Sequence, residues 1–120
     1  MLFARAFLSF FLPAGTPEQL RSFIELQRIA IDGRTTAKLA QAVDDIDIVN
    51  LLPKVSAPTI VFHCIRDRLV PFDQGRRLAA AIPNARFVPL DSENHALLAD
   101  EPAWVKFVSE LEAFLAEGDR

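Results

Sequence analysis

One cysteine, Cys64, occurs in the 120 residues, so no disulfide can form within the chain, which fits a reducing, cytoplasmic setting. Two histidines and no cysteine pair give no zinc-ligand spacing. The net charge of −3 and the absence of any Lys/Arg-rich run exclude a nucleic-acid surface. Long apolar runs are also missing. Met1–Leu12 is strongly apolar, but it is interrupted by Arg5 and too short to span a bilayer, so it reads as a packed helix rather than a targeting segment, and no membrane partner is expected. Asp44, Asp45 and Asp47 cluster, yet no glycine-punctuated loop ends in a bidentate Glu; they read as a solvated helix exit, with no metal and no cofactor. Neither an internal repeat nor a low-complexity stretch is present.

What is present is apolar material. Hydrophobic residues make up 51% of the chain, more than a single small domain needs, so part of this surface is expected to face another chain or a missing domain. Apolar residues at nearly every position of Met1–Leu12 predict a helix buried on most sides, broken at Pro13-Ala14-Gly15. Thr16-Pro17-Glu18-Gln19 then spells a helix start. Thr16 caps, Pro17 takes the first helical position, and Gln19 completes a capping box. Leu20, Phe23, Ile24, Gln27 and Ile31 share one face, and Asp32-Gly33 is read as the stop. A short helix from about Thr36 to Val43 follows, with Leu39, Ala40 and Val43 inward.

Pro53 and Pro58 frame a connector. Thr59–Phe62 has no polar alternation, as in a strand of a parallel sheet covered on both faces. Asp73 is read as capping a helix to about Ile82, with Leu78, Ala81 and Ile82 inward. Arg86–Leu90 is the next strand, placed at the sheet edge by Pro89. Asp100 and Pro102 open a last helix whose stripe is Trp104, Phe107, Val108, Leu111, Phe114 and Leu115, closed by Gly118. The fold class is α/β. A helical segment over 1–46 precedes a parallel β-α-β-α unit over 47–120, within one structural domain. Two parallel strands are not stable alone, so the sheet needs completion.

Two residues follow these strands at matched places. Asp67 lies in Asp67-Arg68-Leu69-Val70-Pro71 after the first, and His95 in Asn94-His95 after the second. With Gly75–Ala85 between them, this resembles the C-terminal part of an α/β-hydrolase-fold protein, with residues before Asp47 similar to the end of that family's lid region. Similar segments occur as hydrolase-like modules of bacterial regulatory proteins. The resemblance implies Asp67 as acid and His95 as base of a Ser–Asp–His triad acting on an ester-like substrate. The sequence departs from the pattern in two ways. Cys64 stands where the family usually has a glycine after the histidine. No G-x-S-x-G occurs either: Gly15, Gly33, Gly75 and Gly118 lie too far apart to frame a nucleophile elbow, and no HGGG-type loop is present.

His63, inside an apolar strand end, reads as a hydrogen-bonded packing residue, Cys64 as a structural thiol, Trp104 as core, and Arg76-Arg77 as a solvated face. Two functions stay open. One is a hydrolase whose serine comes from a missing N-terminal half or another polypeptide. The other is a non-catalytic module that forms a homodimer by joining two β-α-β units.

Overall fold

The computed structural model describes residues 2–118, with the backbone alone for 2–5. Five helices and two strands run α1 (Leu2–Ser9), α2 (Pro17–Ala30), α3 (Gly33–Asp44), β1 (Ile60–Cys64), α4 (Phe72–Ala81), β2 (Arg86–Leu90) and α5 (Pro102–Gly118), with a 3₁₀ segment at Val49–Lys54 ahead of β1. The strands pair in parallel, Ile60 opposite Arg86 through Cys64 opposite Leu90, which makes the chain an α/β protein. Parallel pairing needs a crossover, and α4 supplies it.

The small core lies between the sheet and α5. Cys64, Val88, Leu90 and Ala103 are buried there, with Phe62 and Phe107 packed edge to face at 4.9 Å. On the other side α4 lies against the strands through buried Gly75 and Ala79. Pro89 sits opposite His63 in register, and its carbonyl accepts from Lys106 Nζ at 3.1 Å.

The capping box of α2 forms as its letters dictate: Gln19 N–H donates to Thr16 Oγ1 at 3.1 Å, and Gln19 Oε1 accepts from Thr16 N–H at 2.9 Å. Leu20, Phe23, Ile24, Gln27 and Ile31 are all half-buried, as is Gln19 in the first turn.

Several sequence expectations are corrected. Asp32-Gly33 does not only stop α2: Asp32 accepts from Thr35 N–H at 2.7 Å and caps α3, which therefore begins at Gly33 rather than near Thr36. Leu39, Ala40 and Val43 do not face inward; all three are exposed, because no described residue covers that face of α3. The helix in Met1–Leu12 ends at Ser9, and Phe7 and Phe10 are half exposed, so the part whose side chains are described is not buried on most sides; Met1 and the side chains of 2–5 lie outside the described residues. The cap residue of α4 is Pro71, with Asp73 inside the first turn, and Leu78 is exposed while Ala79 is buried. Leu115 likewise leaves the inner stripe of α5 for solvent. Asn84 is the one described non-glycine residue at positive φ, so Cys64 takes ordinary strand geometry and needs no glycine-like conformation.

Candidate active site

Backbone pairing continues past both strand ends. Ile65 N–H donates to the Leu90 carbonyl at 2.8 Å and Arg66 N–H to the Ser92 carbonyl at 3.1 Å, so the two following loops are held side by side. In parallel strands both loops leave from the same, carboxyl edge of the sheet, where sites in α/β folds are built. Asp67 and His95 meet there. His95 Nδ1 lies 2.7 Å from Asp67 Oδ2.

The Asp67 carboxylate is almost fully buried and well supplied with donors. Leu69 N–H and Val70 N–H donate to Oδ1 at 2.8 and 3.0 Å. Burial opposes its ionisation, but those amides and His95 outweigh that effect, and its pKa falls below the ordinary carboxylate value. An ionised carboxylate only accepts, so His95 carries its proton on Nδ1 and presents a lone pair at Nε2. The His95 side chain is 35% exposed against 3% for Asp67. Among the described residues no side chain or backbone group bonds Nε2. A buried, charged acid holding a half-exposed imidazole in one tautomer can accept a proton from a hydroxyl brought to Nε2 and stabilise the imidazolium that results.

The loop carrying His95 is tied down by groups whose role the sequence did not announce. Asn94, almost completely buried, accepts from Ala14 N–H through Oδ1 at 3.0 Å and donates through Nδ2 to Glu101 Oε2 at 2.6 Å. Glu101 also accepts from Leu98 N–H at 3.0 Å. The Phe11 carbonyl accepts from His95 N–H at 2.8 Å and Ala96 N–H at 3.2 Å, while the Phe11 ring meets the His95 ring edge to face. The segment after α1 is thus fastened to the His95 loop. Asn94 is visible as a letter beside His95, but Glu101 and Phe11 carry no local pattern that would mark them.

Below the pair is an open cavity of about 280 Å³ lined by Phe62, Cys64, Leu97, Trp104 and Phe107 together with the two site residues. Trp104, expected in the core, is half-buried: it packs on Phe107 at 5.5 Å and faces this space. The Cys64 thiol is buried, and burial is the main cause of a pKa pushed above the ordinary thiol value, with Asp67 and Glu101 adding to it against a hydrogen bond from Ser92. Such a thiol is protonated at neutral pH and a poor nucleophile. Ser92 is buried, its hydroxyl accepting from Asn94 N–H at 3.0 Å. Arg76 and Arg77 lie exposed on α4, Arg76 at 3.7 Å from Asp73. Among the described residues no group of three or more His, Cys, Asp or Glu side chains could hold a metal ion, and no helix is long and apolar enough to cross a membrane.

The chain is similar to the protein named carbamate hydrolase RutD of Pseudomonas syringae pv. syringae, 36% identical over 75 residues, which is 62% of this chain and 28% of that protein. The same named protein of Pseudomonas savastanoi pv. phaseolicola is 36% identical over 61 residues, 51% of this chain and 24% of the relative. The AB hydrolase superfamily protein YisY of Bacillus subtilis is 27% identical over 92 residues, 77% of this chain and 34% of the relative. These similarities support a relationship to the α/β hydrolases. The matched segments span about a quarter to a third of the relatives' length. No family model and no solved structure matches the chain.

Proposed function

We propose that this chain contributes the acid and the base of an α/β-hydrolase site, Asp67 and His95, with the serine nucleophile supplied by residues outside the 120. The observation that carries the reading is the 2.7 Å contact between Asp67 Oδ2 and His95 Nδ1 at the carboxyl edge of two parallel strands, with no described residue bonded to Nε2. In the reaction, a serine hydroxyl placed at Nε2 gives its proton to His95 as its oxygen attacks a carbonyl carbon. The tetrahedral intermediate then collapses as His95 returns the proton to the leaving group, and a water repeats the sequence to release the acid. Asp67 stays ionised throughout. Esters and carbamates, both open to acyl transfer at a carbonyl carbon, form the substrate class that the acid–base pair and the relatives' names support.

The surface supports completion by outside residues. The chain exposes 8896 Å², whereas a folded monomer of its mass exposes roughly 6,500 Å². The partial hydrolase fold, a helical part followed by β-α-β-α, leaves both strands with an open edge. A second reading rests on the same exposed surface: a non-catalytic module in which two copies pair through strand edges and apolar helix faces.

Light scattering on a sizing column, with p-nitrophenyl acetate hydrolysis assayed on the same peak, separates these. The chain alone should hydrolyse no faster than its His95→Ala variant. A chimera in which these 120 residues replace the matched portion of the Pseudomonas syringae protein should gain turnover that Asp67→Asn and His95→Ala remove. His95-dependent turnover by the chain alone would show that the nucleophile lies within it. A folded chimera whose turnover survives His95→Ala would overturn the assignment of the base. An inactive dimer together with an inactive, folded chimera would favour the interaction module.

A further inference from the structure

A second imidazole reaches the same carboxylate. His63, the penultimate residue of β1, places Nε2 2.9 Å from the Val70 carbonyl oxygen and 3.4 Å from Asp67 Oδ2, the oxygen that also meets His95. A carbonyl and an ionised carboxylate can only accept, so Nε2 bears the hydrogen. The shorter bond goes to Val70, and Asp67 is the longer second acceptor. Val70 in turn donates its N–H to Asp67 Oδ1 at 3.0 Å. Val70 is therefore held at both ends of one residue, by the acid through its N–H and by His63 through its carbonyl.

The His63 ring has little freedom. Its side chain is 10% exposed. Phe72 meets it edge to face at 5.8 Å, and α4 approaches so closely at Gly75 that a Cβ there would lie 2.7 Å from His63 Cγ. Helix α4 thus presses the imidazole towards the turn, and the imidazole closes the turn around the carboxylate. An apolar ring of similar size would fill the same space but could not close it.

We propose that His63 is a positioning residue for the acid: it locks the Asp67–Val70 turn so that Oδ2 faces His95 and holds His95 in its Nδ1–H tautomer. The proposal rests on the reading of Asp67 and His95 as acid and base, and it adds to that pair a third residue that acts through the first. A histidine that only fills space carries no requirement on its tautomer and can be exchanged for phenylalanine.

The test uses the full, uniformly ¹⁵N-labelled chain and long-range ¹H–¹⁵N spectra of its two imidazoles at neutral pH. His63 is expected as the Nε2–H tautomer and His95 as the Nδ1–H tautomer, with a slowly exchanging downfield Nδ1 proton. His63→Phe should lose that proton signal while circular dichroism stays helical. His63→Gln, whose amide nitrogen can reach the Val70 carbonyl, should keep it. Finding His63 as the Nδ1–H tautomer in the unaltered chain overturns the proposal, as does a folded His63→Phe that retains the His95 signal. Where His63→Phe does not fold, the unaltered chain and the glutamine variant decide. A wrong tautomer at His63 with the expected one at His95 removes this proposal and leaves the hydrolase reading standing. Failure of the chimera to hydrolyse, with the spectra as expected, does the reverse.

Discussion

Gly75→Ala puts the packing of α4 against His63 to a direct test. Within a helix this change ordinarily helps, by about 1 kcal/mol, because alanine has less backbone entropy to lose. Here the added Cβ would stand 2.7 Å from His63 Cγ and 2.8 Å from His63 Cβ, both well inside contact distance. Those atoms sit at the root of the side chain, and β1 fixes them, so they cannot swing aside as the end of a lysine could. Either α4 lifts from the sheet or His63 leaves Val70. Overpacking of this kind costs about 1–3 kcal/mol, and at contacts this short the upper end applies, so the net loss after the helix gain is about 1–2 kcal/mol. For a domain of this size that lowers Tm by roughly 4–8 °C. Gly33→Ala is the control: it too is helical, and among the described residues nothing lies within 4 Å of where its Cβ would stand, so it should raise Tm slightly. Thermal melts by circular dichroism read both. A Gly75→Ala protein that melts no lower than the wild type would refute the reasoning, since the helix term alone would then describe the site.

Asp67, with its pKa held below the unfolded value, stabilises the fold at pH values above about 3.9, and that contribution is lost as pH falls through the folded value. Stability should fall below about pH 4, and Asp67→Asn should flatten this limb in urea titrations taken across the acid range. Asn94→Ala leaves the part-buried Ala14 N–H without its acceptor and removes one of the two donors to Glu101 Oε2, the other being Leu98 N–H, at a cost of about 1–2 kcal/mol measured by urea unfolding. Cys64, buried and with its pKa raised, should react with Ellman's reagent only as fast as the chain opens, so its labelling rate at pH 8 should rise sharply in mild urea.

What was legible in the sequence is what depends on neighbours along the chain. Thr16-Pro17-Glu18-Gln19 encodes a capping box whose two bonds span three residues, and both form. The apolar run Thr59–Phe62, which the structure extends to Cys64, and the Arg86–Leu90 segment encode strands, and the helix between them leaves only a parallel pairing. The meeting of Asp67 with His95 follows from that pairing, since equal strand ends put both following loops at one edge. Less legible was anything set by contact across the fold. His63 could be read as hydrogen-bonded, but its partner Val70 and its nearness to Asp67 depend on how the turn curls. Glu101 reaches Asn94 only because α5 begins beside the His95 loop. Leu39 and Val43 carry helical spacing without an inward face, because periodicity identifies an apolar stripe and cannot say what covers it.

The uncovered stripe bears on what completes the site. The surface beyond that of a compact monomer of this mass is on the order of 2,400 Å², and the Cα radius of gyration of 16.3 Å exceeds the roughly 14 Å of a compact 120-residue domain. An ordinary protein–protein interface covers about 800 Å² on each partner. Pairing two copies along one strand edge would therefore leave most of the excess uncovered, including Leu26 and Ile29 on α2 and Leu39 and Val43 on α3. Covering it takes either an extensive obligate interface or polypeptide packed against the sheet and the helices together. The second arrangement suits the hydrolase site proposed above, in which a hydroxyl meets His95 Nε2, because residues added beside β1 would enter at the same carboxyl edge where Asp67 and His95 meet.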